Sequence, residues 1–401
     1  MLRVFLLIFF GTWFLFAQSQ NLPSLLTEKN INATFAIAAY DAEAKEWGIA
    51  VATNNLYVGN STIYIQPGVG AIAVIAETEP AYGIKGLQQL QKGKTPQQVI
   101  QEQLIKDEDA TYRQVCVIDS IGNSFAYTGN TLTYWKGVSS HKTGKGYAVM
   151  GNQLAPHVLD SLAIVFEQTK GTLAQRLTAA LVAGQHAGGQ INGKQSCAVM
   201  VKGSNNEWFN QIDFRVDNSH TPFEDLQKLL NYHYGRIRLN QAIYQVREGR
   251  MDRGVQLLQE GEKLVSGWTG IYGKIVTAYL LLHQDSTAVQ WIQRALREVP
   301  EWRENLPAFY CLKDAPGMQG LIQSSFFTAK DWMAAIQQYQ NLGLHTEAIN
   351  LAKQTLQQYP LHSYIWYLLG KSYKVIGYPK DAASAFARSL QLDPANLEAR
   401  L

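Results

Sequence analysis

The chain has 401 residues, 46% of them apolar and 17% charged, with a formal net charge of +3. That length allows two or three domains with ample core, and so small a charge, with no basic run, argues against a nucleic-acid partner or an anionic membrane surface. Three cysteines, Cys116, Cys197 and Cys311, offer no spacing suited to zinc, and no cofactor is called for.

Met1-Leu2-Arg3 supplies one positive charge, Val4 to Phe16 is nearly all apolar, and Ala17 ends the run. This is the pattern of a cleavable export signal, and it is shorter than the roughly 20 residues a spanning helix needs. Residues 1–17 are read as a signal peptide and 18–33 as a polar leader. The mature protein is expected to be exported, periplasmic or secreted. An odd cysteine count then leaves at least one free thiol. Cys116 and Cys197 lie in apolar runs that read as buried strands, where a thiol is an inert core group.

Strands are expected at about 34–41, 47–53, 69–76, 112–119, 124–128, 147–151, 196–202 and 212–217. Each is rich in Val, Ile, Ala, Tyr or Phe and bounded by Gly, Asn or Asp. Asp119 to Asn123 reads as a hairpin turn. Helices come in pairs, at about 83–91 and 95–107, then 156–170 and 172–183, with a further one near 222–233. Thr95-Pro96-Gln-Gln98 is a helix start, with Thr as cap, Pro at the first position and Gln three residues on. Two packed sheets with helix pairs outside satisfy strands that are apolar on more than one face.

After about residue 234 the strand signal stops and a 34-residue period begins. Trp366-x-x-Leu369-Gly370-x-x-Tyr373, Ala382-x-x-x-Phe386 and Pro394 fit the tetratricopeptide pattern. Trp332, Tyr339, Gly343, Ala348 and Pro360 repeat it 34 residues earlier, a weaker copy spans about 269–302, and a degenerate one lies around Gly249. Residues 303–328 fall outside the period. The large rings, Trp366 among them, are expected to fill gaps between stacked helix pairs. Residues 234–401 are thus read as all-α repeats that engage a protein partner.

The pieces Thr34-Phe-Ala-Ile-Ala with Gly48-Ile-Ala-Val-Ala, Gly68-Val-Gly-Ala, Thr78-x-Pro80-x-Tyr82-Gly83, and Arg113-Gln-Val with Val117-Ile-Asp119 and Thr128-Gly129 run in one order. Gly146-Tyr-Ala, Gly151-Asn152-x-Leu154, Gly193-Lys-Gln195-Ser196 and Asp213-x-Arg215-Val-Asp217 continue it. Together they make residues 34–233 resemble a bacterial family named for its domain of unknown function 1028, which is placed with the N-terminal-nucleophile hydrolases. The resemblance implies an α+β fold, a four-layer αββα sandwich. It also implies that Thr34 becomes the first residue of the active chain by a cut after Ala33. Two departures are visible: Thr53 stands where proteasome-like members of that superfamily have an aspartate, and no counterpart of their active-site lysine is found.

A threonine at a chain terminus can use its own amine as base, so Thr34 is the candidate nucleophile. Thr53 and Asn54, at the end of the second strand, are candidates to orient it; the alternative is turn chemistry. Gly151 and Asn152, read as a turn between strand and helix, are candidate oxyanion donors or simply a cap. Glu77, Thr78, Gln195, Ser196 and Asp217 are candidate substrate-binding residues, each with an ordinary loop or strand-edge reading beside it. The expected function is hydrolysis of a small amide or peptide. The alternative is a non-catalytic ligand-binding or scaffold protein whose repeats make the contacts. Sandwich domains of this kind often pair, which leaves room for a homo-oligomer.

Overall fold

The computed structural model describes residues 33–206 and 211–400; the expected signal and nearly all of the leader lie outside these. The chain divides into two compact units, the first ending at Leu230 and the second starting at Asn231.

In the first unit, β1 (Thr34–Asp41), β2 (Glu46–Thr53), β7 (Val138–Gly144), β8 (Tyr147–Leu154), β9 (Ser196–Gly203) and β10 (Ile212–Val216) form one sheet, in the order β10-β9-β2-β1-β8-β7. A second sheet has the order β3-β4-β5-β6, from β3 (Ile63–Gln66), β4 (Gly70–Ala76), β5 (Arg113–Ile118) and β6 (Ser124–Thr128). Every pairing is antiparallel. Alternate residues face opposite sides of a strand, so Ala36, Ala38, Ile49 and Val51 meet Ala71, Ala73, Ile75 and Cys116 between the sheets. The many alanines there let the sheets pack closely.

The outer faces are covered by helices. Helices α1 (Pro80–Gln91) and α2 (Pro96–Leu104) cover the second sheet, where Tyr82, Val99 and Ile100 pack on Ile72, Val74 and Val115. Helices α3 (Val158–Gln168) and α4 (Leu173–His186) cover the first. Gly48 lets α4 approach its strand: a β-carbon there would stand 2.5 Å from Leu177. The capping box at Thr95 is present, with Gln98 returning to the Thr95 amide, and Thr172 with Gln175 starts α4 in the same way. The unit is the four-layer αββα sandwich expected, with two strands that the residue pattern did not announce, β3 and β7.

The free thiols of Cys116 and Cys197 are buried in strands β5 and β9, and desolvation raises the Cys116 pKa to about 12.

Helix α5 (Pro222–Arg247) begins in the first unit and ends in the second, which continues with α6 (Met251–Leu264), α7 (Tyr272–Leu281), α8 (Asp285–Glu298), α9 (Ala329–Asn341), α10 (His345–Gln358), α11 (Ser363–Val375) and α12 (Pro379–Leu392). Left-handed residues mark corresponding helix-to-helix turns at Gly249, His283, Gly343 and Gly377. The segment outside the period is helical too: Pro300–Leu312 is a 3-10 run whose Trp302, Leu306, Phe309 and Leu312 join the core of α7 and α8.

Trp366 is only half-buried, its indole N–H donating to the Pro360 carbonyl at 2.9 Å. Trp332 is the anchor instead, 9% exposed and edge-on to Phe327 and Tyr310 at 4.9 and 5.2 Å. Trp332→Ala should therefore cost the repeat unit about 3–5 kcal/mol, and Trp366→Ala clearly less. Thermal unfolding of the two variants followed by circular dichroism checks the order.

Candidate active site

Strand register assembles the site. Asn152 of β8, Thr34 of β1, Thr53 of β2 and Ser196 of β9 are successive partners across the first sheet. Residues directly opposite share a face, and Thr34 has the parity of Ala36 and Ala38, so this polar row faces the second sheet. Beside it lies a cleft of about 410 Å³, lined by Thr34, Thr53, Tyr57, Thr62, Glu77 and Thr78 among others.

Thr34 is 7% exposed at the floor of that cleft. Its hydroxyl lies 2.9 Å from the Thr53 hydroxyl, which donates to the Ala33 carbonyl at 2.9 Å. Thr53 has one proton, spent on Ala33, so Thr34 is the donor of the pair. The Ala33 oxygen also accepts the Asn54 backbone N–H at 3.1 Å. The carbonyl just ahead of Thr34 is thus held by two donors, beside the Thr34 hydroxyl.

On the other side, the Thr34 N–H donates to Asn152 Oδ1 at 3.2 Å, and Asn152 Nδ2 donates to Gln114 Oε1 at 3.1 Å. Gln114 Nε2 reaches Thr128 Oγ1 at 2.9 Å, the Ser140 carbonyl at 3.0 Å and the Gly151 carbonyl at 2.9 Å. Thr128 then meets His141 Nδ1 at 2.9 Å. Burial holds the His141 pKa below its usual value, which favours the neutral ring, whose tautomer sets which of the two groups donates.

Two residues with side chains adopt left-handed backbone next to the site: Ala76 with φ 67° at the end of β4, and Gln153 with φ 51° in β8. Such conformations cost on the order of 1–3 kcal/mol and cluster at functional sites. Ala76 turns the chain so that Glu77 and Thr78 line the cleft. Behind them, Arg113 is 6% exposed and forms a bidentate pair with Asp107, at 2.7 and 3.0 Å. The same guanidinium donates to the Glu77 carbonyl at 3.2 Å and stands 3.8 Å from its carboxylate. Its hydrogen bonds hold the Asp107 pKa below the ordinary carboxylate value, and the Tyr82 hydroxyl donates to the same carboxylate.

Of the expected site residues, the structure brings together Thr34, Thr53, Asn152, Glu77 and Thr78. Asn54 contributes its backbone N–H, while its side chain donates to the Asn192 carbonyl at 2.8 Å. The reading of Gly151 and Asn152 as a turn is corrected: both lie inside β8, which runs on to Leu154. There the Gly151 carbonyl and both ends of the Asn152 amide are already engaged, so neither points a donor at the Ala33 carbonyl; Thr53 and Asn54 do. Gln195 is bound to Asn218 at 3.0 Å, Ser196 is fully buried with an unpartnered hydroxyl, and Asp217 is exposed. None of these three lines the cleft. Gln114 was missed; its signal is a polar residue in the apolar run that becomes β5.

Residues 34–226 match the family of unknown function DUF1028. A crystal structure from that family, protein SPO2555 of Silicibacter pomeroyi, is 28% identical and covers 49% of this chain and 88% of its own, with a TM-score of 0.45. MamA of Desulfovibrio magneticus RS-1 is 14% identical, covering 41% of this chain and 78% of its own with a TM-score of 0.19. YrrB, described as a TPR protein with an unusual peptide-binding site, is 14% identical, covering 45% and 76% with a TM-score of 0.21. Among curated proteins no match is found. Residues 34–226 thus carry the match to the DUF1028 family model, and tetratricopeptide-like helical repeats follow them.

Proposed function

We propose that the sandwich is a self-processing amide hydrolase of the N-terminal-nucleophile type, exported by virtue of its first 17 residues. One observation carries the reading: the carbonyl oxygen of Ala33 rests on two donors while the Thr34 hydroxyl stands beside it. Thr34 Oγ1 attacks the Ala33 carbonyl carbon, and the oxyanion that forms is held by Thr53 Oγ1–H and the Asn54 N–H. The C–N bond breaks, the hydroxyl proton passes to the Thr34 nitrogen, and Ala33 is left as an ester on Thr34. Water hydrolyses the ester, freeing the leader as a carboxylate and Thr34 as an amine. A substrate carbonyl then takes the place of the Ala33 carbonyl on the same two donors, with the amine as base. The N-terminus of mature protein, read by intact mass, tests this: a start at Thr34 supports it, and a chain still beginning near Gln18 overturns it.

The repeats supply the protein contact. A groove of about 570 Å³ in the second unit is lined by Asn240, Arg247, Lys274, Asn305, Gln338 and Asn341 among others, with no carboxylate in its wall. Neither Lys274 nor Arg247 forms an ion pair among the described residues. The named amides already hold partners within the unit, so it is the two cations, in a wall without carboxylates, that suit an acidic peptide segment. A fluorescein-labelled hexaglutamate peptide should bind the full chain with an affinity that falls steeply with salt. Lys274→Gln should weaken binding several-fold. A hexalysine peptide binding equally well would refute the assignment.

A further inference from the structure

We infer that Gln114 is a positioning residue: it keeps the Asn152 amide turned so that an acceptor, never a donor, faces the nitrogen of Thr34. The inference rests on the reading of Thr34 as a nucleophile whose freed amine serves as base.

The orientation is dictated from the far end of the relay. Gln114 is fully buried, and its Nε2 end lies against the carbonyls of Ser140 and Gly151 at 3.0 and 2.9 Å. A backbone carbonyl can only accept, so that end of the side chain must be the NH2 group. The opposite end is then Oε1, and Asn152 has to present Nδ2 to it, at 3.1 Å. Asn152 Oδ1 is thereby committed to Thr34 N. Two strand carbonyls set Gln114, and Gln114 sets Asn152.

In the uncut chain Thr34 N is a peptide N–H, a donor that would select Oδ1 unaided. The restraint acquires its function once the amine is free. An amine also carries a lone pair, which an unrestrained Asn152 could meet by turning Nδ2 toward it. A donor there ties up the lone pair that must take the proton, and it disfavours the ammonium form. Gln114 blocks that turn, because Asn152 Oδ1 would then face Gln114 Oε1, acceptor against acceptor.

The test is the titration midpoint of the Thr34 α-amine, measured by competitive acetylation with acetic anhydride. The protein used is the chain starting at Thr34, released from a removable N-terminal fusion, so the measurement does not depend on self-cleavage. Circular dichroism confirms that each variant is folded. Gln114→Met should lower the midpoint by about one pH unit, a tenfold loss of proton affinity. Gln114→Met with Asn152→Asp should restore it or raise it, because a carboxylate offers only acceptors. A midpoint unmoved by Gln114→Met, or one that the added aspartate fails to restore, overturns the inference. Should Gln114→Met fail to fold, Gln114→Leu takes its place, with the same fall in midpoint expected and an unmoved midpoint as the overturning result. The mass of the full-length precursor is read separately. An uncut precursor removes the self-cleavage reading, while the titration still reports on Gln114.

Discussion

Thr34→Ala is expected to leave the leader on the chain, and wild type is expected to begin at Thr34. The substitution removes the attacking oxygen and one buried methyl, worth about 1 kcal/mol. Thr53 still donates to the Ala33 carbonyl, so no buried donor is stranded. One hydroxyl–hydroxyl contact is lost, a net cost of about 0.5–1.5 kcal/mol, too little to unfold the domain. Thr34→Ser keeps the oxygen and should keep the cut. Thr53→Val removes one of the two donors on the Ala33 oxygen and should slow processing by about 100- to 1,000-fold, the range seen when an oxyanion donor is deleted. Intact-mass spectrometry of the four proteins over time reads every outcome. The same N-terminus in wild type and Thr34→Ala would exclude self-cleavage by Thr34.

Arg113→Met should be the most destabilising single change near the site. The guanidinium is nearly enclosed, and it answers Asp107 bidentately and Glu77 by its carbonyl and carboxylate. Its removal leaves Asp107, whose side chain is 13% exposed, as a buried charge with no cation in contact. Breaking such a pair from one side costs about 3–5 kcal/mol. The double variant Arg113→Met, Asp107→Asn should recover much of that loss, because the stranded charge goes with its partner. The acid limb carries the sign. The folded pKa of Asp107 lies below its unfolded value, so its contribution is complete above the unfolded value and fades as pH falls through the folded one. Arg113→Met should flatten that part of the stability curve. Urea unfolding across the acid range checks both statements, and a loss under 1 kcal/mol would mean that water reaches the pair.

The sandwich was legible because its strands carry their own apolar signal. β1, β2, β4 and β5 are almost wholly buried, and any run of Val, Ile and Ala bounded by turn residues announces such a strand. β3 has only four residues, Ile63–Gln66, too few for a period. β7 reads Val-Ser-Ser-His-Lys-Thr-Gly, an edge strand with no residue fully buried, so only its pairing with β8 makes it a strand. In the repeats the motif set the register, but burial was not in the motif: Trp332 and Trp366 occupy one repeat position, and only Trp332 has Phe327 and Tyr310 against it. Thr34 and Thr53 were legible from their strand ends. Gln114 was not, because its partners on β7 and β8 lie 26 and more residues away and the contact crosses from one sheet to the other. Ser196 and Gln195 were close in sequence to the right strand end, yet register buries the first and turns the second toward Asn218.

The carbonyl of Ala33 has a consequence for timing. In the uncut chain it fills the position between Thr53 and Asn54 that a substrate carbonyl would need. On the proposed mechanism the leader is thus its own occupant of the catalytic seat, and the newly made protein is dormant. It would wake once, irreversibly, at the moment its first amide bond is spent, and its N-terminus would tell the dormant chain from the woken one.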